Sequence, residues 1–249
     1  MNVSLYQAAA AMNAQERWQD LISENLASGS VPGFRKQEVS FEDVAASSAN
    51  GVNDSANSNF YIPTVVSSTS FQEGQMNPTG DSTDLAIDGK GFFQIQLPGG
   101  QTGYTRDGEF QLNAKRQLVT KEGYPVMGDA GPIQFPPGGG SEFTVAANGR
   151  VTQGGAVVGN LRLMQFSNPG QLTSTSDGYL LANQPGMTPT PADPKTTIRQ
   201  GYLEGANTSP TNDMSSLINA MRVFEANQKV MQAQDDRMGK VISDLSGTT

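Results

Sequence analysis

Both ends of the chain carry a seven-residue repeat of apolar positions, a pattern that is satisfied when a helix lies against another helix. Near the C-terminus the register Met214, Leu217, Met221, Phe224, Gln228, Met231, Asp235, Met238, Ile242, Leu245 steps by threes and fours, broken only at Gln228 and Asp235. At the N-terminus Leu5, Ala8, Met12, Gln15, Gln19, Ile22, Leu26 repeats the spacing, again with two polar interruptions and with no proline before Pro32. The spacing predicts an α+β fold: long N- and C-terminal helices forming a coiled-coil-like pair, with a central antiparallel β-rich domain between them.

Local signals set the boundaries. Pro32 forces Val31 out of the helical region and Gly29 and Gly33 favour a turn, so the first helix ends near residue 27. Residues 34–44 are mixed, residues 47–59 are a Ser/Asn/Ala-rich surface loop, and alternation resumes at Phe60. From Leu85 to Ala182 short apolar runs alternate with turn residues. The pairs Asp88-Gly89, Asp107-Gly108, Asn148-Gly149 and Asp177-Gly178 suit the positive-φ positions of tight hairpins. Ser209-Pro210 is a helix start and Gly247 a helix stop. The expected organisation is a helix over 1–28, an extended connection over 29–80, a β-rich outer domain over 81–184, a return connection over 185–208 with one strand at Ile198 to Leu203, and a helix over 209–249.

Composition removes most enzyme templates. The chain of 249 residues has no Cys and no His, so thiolate nucleophiles, zinc-thiolate sites and the commonest general base are absent. Asp81, Asp84 and Asp88 offer paired carboxylates, but their neighbours place them at turns and caps. Residues 53–59 carry oxygen ligands without the Gly and terminal Glu of a calcium loop, and Gly138-Gly139-Gly140 lacks the Lys-Ser/Thr of a phosphate cradle. The single Trp18 reads as packing. No cofactor and no metal are expected.

The net charge of −8 comes with no Lys/Arg cluster, which argues against nucleic acid. No window approaches the roughly 18 apolar residues of a membrane span. With no cleavable signal legible, the chain is expected to be cytoplasmic or exported without signal cleavage. Residues 1–40 hold 3 basic and 4 acidic side chains and residues 207–249 hold 4 and 5, so the acidity lies in the middle and the ends can bundle without self-repulsion.

Four blocks, in order along the whole chain, resemble the flagellar axial proteins of the rod and hook family. They are Glu24-Asn25-Leu26-Ala27 with Val31-Pro32-Gly33-Phe34-Arg35; Asp84 to Phe93; Tyr104-Thr105-Arg106-Asp107-Gly108-Glu109-Phe110 with Leu118-Val119-Thr120 and Gly123-Tyr124-Pro125-Val126; and Gln200-Gly201-Tyr202-Leu203-Glu204-Gly205-Ala206-Asn207. Ser28 and Ala206 stand where the family usually has Asn and Ser. Within the family the chain is most similar to the proximal-rod member, with the distal-rod member as rival.

The resemblance implies a structural subunit of the bacterial basal body, in the rod that crosses the periplasm. It would be exported by the flagellar type III apparatus without signal cleavage, associate with itself and with other rod subunits, and insert into no membrane. The assembly interface expected from the seams and junction is Leu5, Met12, Ile22, Asn25, Leu26, Pro32, Gly33, Phe34, Met214, Leu217, Met221, Phe224, Met231, Met238, Ile242 and Leu245. The polar breaks Gln15, Gln19, Gln228 and Asp235 are expected to face subunit contacts or a lumen. Two other readings stay open: a secreted β-domain enzyme acting on polysaccharide with Asp84 and Asp107 as its acids, and an adhesin module oligomerised by its helices.

Overall fold

The computed structural model describes residues 3–46, 60–138, 142–175, 178–184 and 186–246; side chains at 3–8, 41–46, 60–64, 241 and 244–246 fall outside the description. The loop 53–59, read above against a calcium site, therefore lies outside it, as do Gly139, Gly140, Asp177 and Gly247. The chain divides into two compact units, one of residues 1–27, 37–69 and 209–249 and the other of residues 28–36 and 70–208.

The first unit contains α1 (Val3–Ala27), β1 (Gln37–Ala46), β2 (Phe60–Thr69) and the C-terminal helix α2 (Pro210–Ser246). Strands β1 and β2 pair antiparallel in unbroken register from Gln37↔Thr69 to Ala46↔Phe60. A two-stranded ribbon has little stability of its own, and α1 packs against both of its strands. The start of the ribbon is held by Asn25: its Nδ2 donates to Gln37 O (2.8 Å) and its Oδ1 accepts the Gln37 N–H (2.9 Å).

The second unit is the β-rich body. Its strands are β3 (Met76–Pro78), β4 (Leu85–Asp88), β5 (Phe92–Gln96), β6 (Thr102–Thr105), β7 (Gln111–Leu112), β8 (Leu118–Val119), β9 (Met127–Gly128), β10 (Gly131–Pro132), β11 (Thr144–Val145), β12 (Arg150–Gln153), β13 (Ala156–Asn160), β14 (Leu163–Gln165), β15 (Thr173–Ser174), β16 (Leu180–Leu181), β17 (Thr190–Pro191), β18 (Thr197–Gln200) and β19 (Tyr202–Glu204). The largest sheet runs β15-β16-β6-β5-β14-β17, and small ladders join β11-β12-β13, β7-β8, β9-β10, β18-β4 and β19-β3.

Strand alternation sorts the core. On β5, Phe93 and Ile95 enter the main cluster with Leu85, Ile87, Val126 and Phe135. Phe92 points to the other face, against Phe166 and Tyr104. Burying a side chain the size of Phe93, which is fully enclosed, contributes about 2–3 kcal/mol. Gly89 and Gly149 take positive φ at the tight turns, whereas Gly108 does not. Gly108 is required for another reason: a Cβ there would lie 1.6 Å from Leu85 O.

The expected coiled-coil-like pair of long terminal helices is not what forms. The described residues contain two helices of 25 and 37 residues around a β-rich middle, and the shorter one divides its packing between α2 and the ribbon. The best-buried helical positions are Ala14, Gln15, Ile22 and Asn25 on α1 and Asp213 and Ala220 on α2, while the seam residues Met214, Met221, Met238 and Ile242 are exposed. The α1–α2 contact is extensive and includes two side-chain hydrogen bonds. Gln15 Nε2 and Gln19 Nε2 both donate to Ala220 O, at 2.9 and 3.3 Å, and the short Ala220 side chain lets them approach.

Those two glutamines thus face a neighbour within the chain rather than a lumen or another subunit. A seven-residue repeat shows that a helix has apolar faces, but one step along it turns about 100°, so the repeat does not say which face meets which partner.

Candidate assembly interface

The C-terminal helix starts where the sequence allows. The Asp213 N–H donates to Ser209 O (2.8 Å), and the Asp213 carboxylate accepts the Ser209 N–H (3.2 Å). This reciprocal cap places a negative charge at the positive end of the helix dipole. At 1.5 Å per residue α2 is a rod of about 55 Å and α1 one of about 37 Å.

Its least exposed positions, Asp213, Ser216, Leu217, Ala220, Phe224, Asn227, Met231 and Gln234, recur at three-four spacing, with Ser216 and Leu217 adjacent, and form one stripe. Three of the candidate residues, Leu217, Phe224 and Met231, sit on that stripe and are half-buried. Met214 and Met221 lie on a different face, beside Ile218, and each of these three is about half exposed, at 53%, 49% and 53%. Val223 and Val230, seven residues apart, expose a further side. Seven of the ten exposed large hydrophobic residues among those described lie on this one helix, which is far from the scatter of single exposed apolar residues on a monomer surface.

The helix also outruns its cover. Gln15, the midpoint of α1, bonds Ala220, so the roughly twelve residues of α1 on either side end near positions 208 and 232 of α2 in either direction. From Asp235 onward every α2 side chain that the structure describes is exposed, Met238 and Ile242 included.

The N-terminal candidates are placed differently. Ile22 and Asn25 are buried, and Met12 and Leu26 are half-buried. The side chains of Leu5 and Leu245 lie outside the described residues. Pro32, Gly33 and Phe34 belong to the β-rich unit and are half-buried in it.

Three residues not singled out by sequence organise that unit's junction. Arg35 Nη2 donates to Glu204 Oε1 (2.7 Å) and Arg106 Nη1 to Glu204 Oε2 (2.9 Å), with the carboxylate fully enclosed and each arginine side chain 5% exposed. The Gly74 N–H donates to the same Oε1 (2.9 Å), and the Gly33 N–H to Glu204 O (2.7 Å). Arg35 also reaches Gln72 O (2.5 Å), and Arg106 reaches Ile87 O (3.3 Å) and Gly89 O (2.6 Å). Burial pushes the Arg106 guanidinium below its ordinary value; Glu204 opposes that and Arg35 reinforces it. Each of the three lies inside one of the sequence blocks quoted above, which is the signal that marked them.

The acids of the polysaccharide reading are also accounted for. Burial raises Asp84, against a hydrogen bond from Thr79. Asp107 is pushed up to about 6, first by burial, while the Glu109 N–H that donates to its Oδ1 (2.9 Å) pulls it down. A carboxyl raised from 3.8 stays protonated in the folded unit while the unfolded chain ionises. Its contribution to stability therefore falls as pH rises from 3.8 to 6 and is constant above that. Asp107→Asn keeps the acceptor for Glu109 and removes the titration. The variant is expected to be more stable than the parent at pH 7, by up to about 3 kcal/mol, with the gain gone by pH 4. Urea denaturation at the two pH values checks this, and equal gains at both would refute the assignment to Asp107.

A helix whose apolar faces outnumber its partners defines a subunit of a larger assembly. Residues 86–153 match the family described as flagellar hook protein FlgE/F/G D1 domain, and residues 199–245 match flagellar basal body rod FlgEFG protein, C-terminal. The chain is 32% identical to the flagellar basal-body rod protein FlgG of Borreliella burgdorferi over 95% of its own length and 96% of that protein. It is 32% identical to FlgF of Caulobacter vibrioides (97% and 100%) and 31% identical to FlgF of Escherichia coli K12 (99% and 99%). The chain belongs to the flagellar rod and hook family, and within it to the rod proteins FlgF and FlgG. It is a structural rod subunit of the basal body, associated with other rod components; its relatives are structural proteins, not enzymes, and the polysaccharide and adhesin readings have no support. No described helix is long and apolar enough to cross a membrane.

Proposed function

We propose that the subunit polymerises through the exposed faces of α2 and through its N-terminal helix, so that the rod they build carries torque from motor to hook. The observation that supports this most is the concentration of exposed apolar side chains on α2, together with its length beyond the reach of α1. Met214, Met221, Met238 and Ile242 face neighbouring subunits. Leu217, Phe224, Met231 and the N-terminal residues Leu5, Met12, Ile22 and Leu26 support the same wall from within, with Leu245 extending it. Asn25, Pro32, Gly33 and Phe34 act on assembly by shaping the junctions. Contacts of this kind are heterologous and propagate as a filament.

The acidity lies in residues 41–206, with 15 acidic and 9 basic side chains, and the nearly neutral termini can bundle in the assembled rod without self-repulsion. The chain reaches the periplasm through the type III apparatus without signal cleavage, inserts into no membrane and meets no nucleic acid, in keeping with its charge. We read it as the proximal-rod type on its length, its Gly128-Asp129-Ala130-Gly131-Pro132-Ile133 stretch and the Arg222-Val223-Phe224-Glu225 of α2. Immunogold label at the membrane-proximal end of isolated basal bodies is expected; label beside the hook would assign it to the distal rod.

Met221→Asp tests the interface. Because Met221 is 49% exposed, an acid there leaves the monomer's stability within about 0.5 kcal/mol of the parent. Buried between subunits, the same charge has no partner, and cells carrying it are expected to build no rod and not to swim. Swimming cells with normal basal bodies would refute the proposal.

A further inference from the structure

The segment 196–207 closes the β-rich unit. β18 is the ladder partner of β4 and β19 that of β3. The Thr196 hydroxyl donates to Lys90 O (2.9 Å), the Ile198 N–H to Ala147 O (2.9 Å), and Gln200 Nε2 to Ser82 O (2.6 Å) and Phe143 O (3.0 Å). At its end Asn207 accepts the Lys36 N–H (2.6 Å) on Oδ1 and donates from Nδ2 to Ser70 O (2.9 Å) and Gln72 O (3.0 Å). The unit's first pieces, residues 31–36, β3 and β4, thus have partners that are the last to be synthesised. Between those two ends stand hairpins with partners close in sequence, such as β7-β8 and β12-β13.

Charge makes the order matter. Arg35 and Arg106 converge on one carboxylate, and their Nε atoms are buried without a hydrogen-bond partner. Until Glu204 arrives, docking residues 31–36 would enclose two cations that repel each other and have lost their water, a cost that breaking a buried pair also incurs.

We propose that Glu204 and its segment are an electrostatic latch: residues 31–36 stay undocked from the β-rich unit until residues 196–207 close it, so the unit cannot be completed from a partly delivered chain. The latch rests on the unit's own contacts. Its consequence, that a chain threaded N-terminus first stays open until its end is through, rests on the export reading above.

Pulse-labelled hydrogen exchange during refolding of the full chain tests it. The Phe34 N–H donates to Val31 O (3.3 Å), a single turn within residues 31–36 that takes nothing from residues 196–207 and is protected only once that segment docks, whereas the Gly205 N–H donates to Gln75 O (2.8 Å) and reports closure. In the parent chain the two amides are expected to gain protection together, after Leu118 and Val126. Glu204→Gln slows that shared phase roughly tenfold or more and leaves Leu118 and Val126 unchanged. In the double variant Arg35→Met, Arg106→Met the cations are gone, so Phe34 is protected before Gly205. The order of the two amides is informative even if that variant never closes. Protection of Phe34 ahead of Gly205 in the parent overturns the latch, and so does continued coincidence in the double variant.

Discussion

Glu204→Leu is expected to destabilise the β-rich unit by about 3–5 kcal/mol, seen as a lower urea midpoint for that unit. Leucine removes the carboxylate that two guanidiniums share and leaves both charges enclosed, together with an unpaired Gly74 N–H. The apolar triple variant Arg35→Met, Arg106→Met, Glu204→Leu is expected to recover most of the loss, since a buried ion cluster and a well-packed apolar one are often close in energy. Recovery separates the two causes: uncompensated charge is repaired by the triple change, and poor packing is not. An unaltered midpoint for Glu204→Leu would show that the cluster contributes nothing to the unit.

Gly33→Ala is the second large effect. Gly33 has φ of +70°, and a Cβ on it would lie 2.3 Å from Arg106 C and 2.4 Å from Asp107 N, both backbone atoms that cannot swing aside. The left-handed conformation costs an L residue about 1–2 kcal/mol and overpacking adds about 1–3 kcal/mol, for a total of about 3 kcal/mol. Gly80 supplies the control, with φ of +77° and nothing within 4 Å. Gly80→Ala is expected to show the conformational cost of about 1–2 kcal/mol alone. Equal midpoints for the two alanine variants would mean that the close approach of residues 31–36 to Arg106 is not enforced.

Features governed by local chemistry were legible in the chain. Pro32 and Gly33 end the first helical stretch, Ser209-Pro210 begins the last, and Asp88-Gly89 and Asn148-Gly149 place glycines at positive φ. Asp107-Gly108 carries the same dipeptide signal for a different cause, since Gly108 is demanded by the carbonyl of Leu85, a residue brought close by the fold.

The face that α2 turns to α1 has a similar origin. Met221 and Ala220 are adjacent, and hydrophobicity favours Met221, but α1 brings two glutamine amides that need a carbonyl and a small side chain beside it. Met214, Ile218, Met221, Val223 and Val230 are left exposed. A periodicity that counts apolar residues does not separate the side turned to the chain's own helix from sides that neighbours could cover.

The ion cluster was beyond reach for another reason. Residues 35, 106 and 204 are remote in sequence, and charged residues are almost never fully enclosed unless paired, so each alone reads as surface. Sequence blocks located all three; only the fold joins them.

Because the chain contains no cysteine, a single introduced thiol reports burial directly. Ile218→Cys places it on the outward face of α2, 53% exposed in the subunit, and Val157→Cys places it on the β-rich unit, 63% exposed. In isolated monomer both thiols are expected to react with a maleimide at similar rates. In basal bodies purified from cells expressing either variant, the thiol at 218 should become unreactive while that at 157 still labels. Labelling at 218 as fast in the assembled rod as in the monomer would contradict assembly through α2.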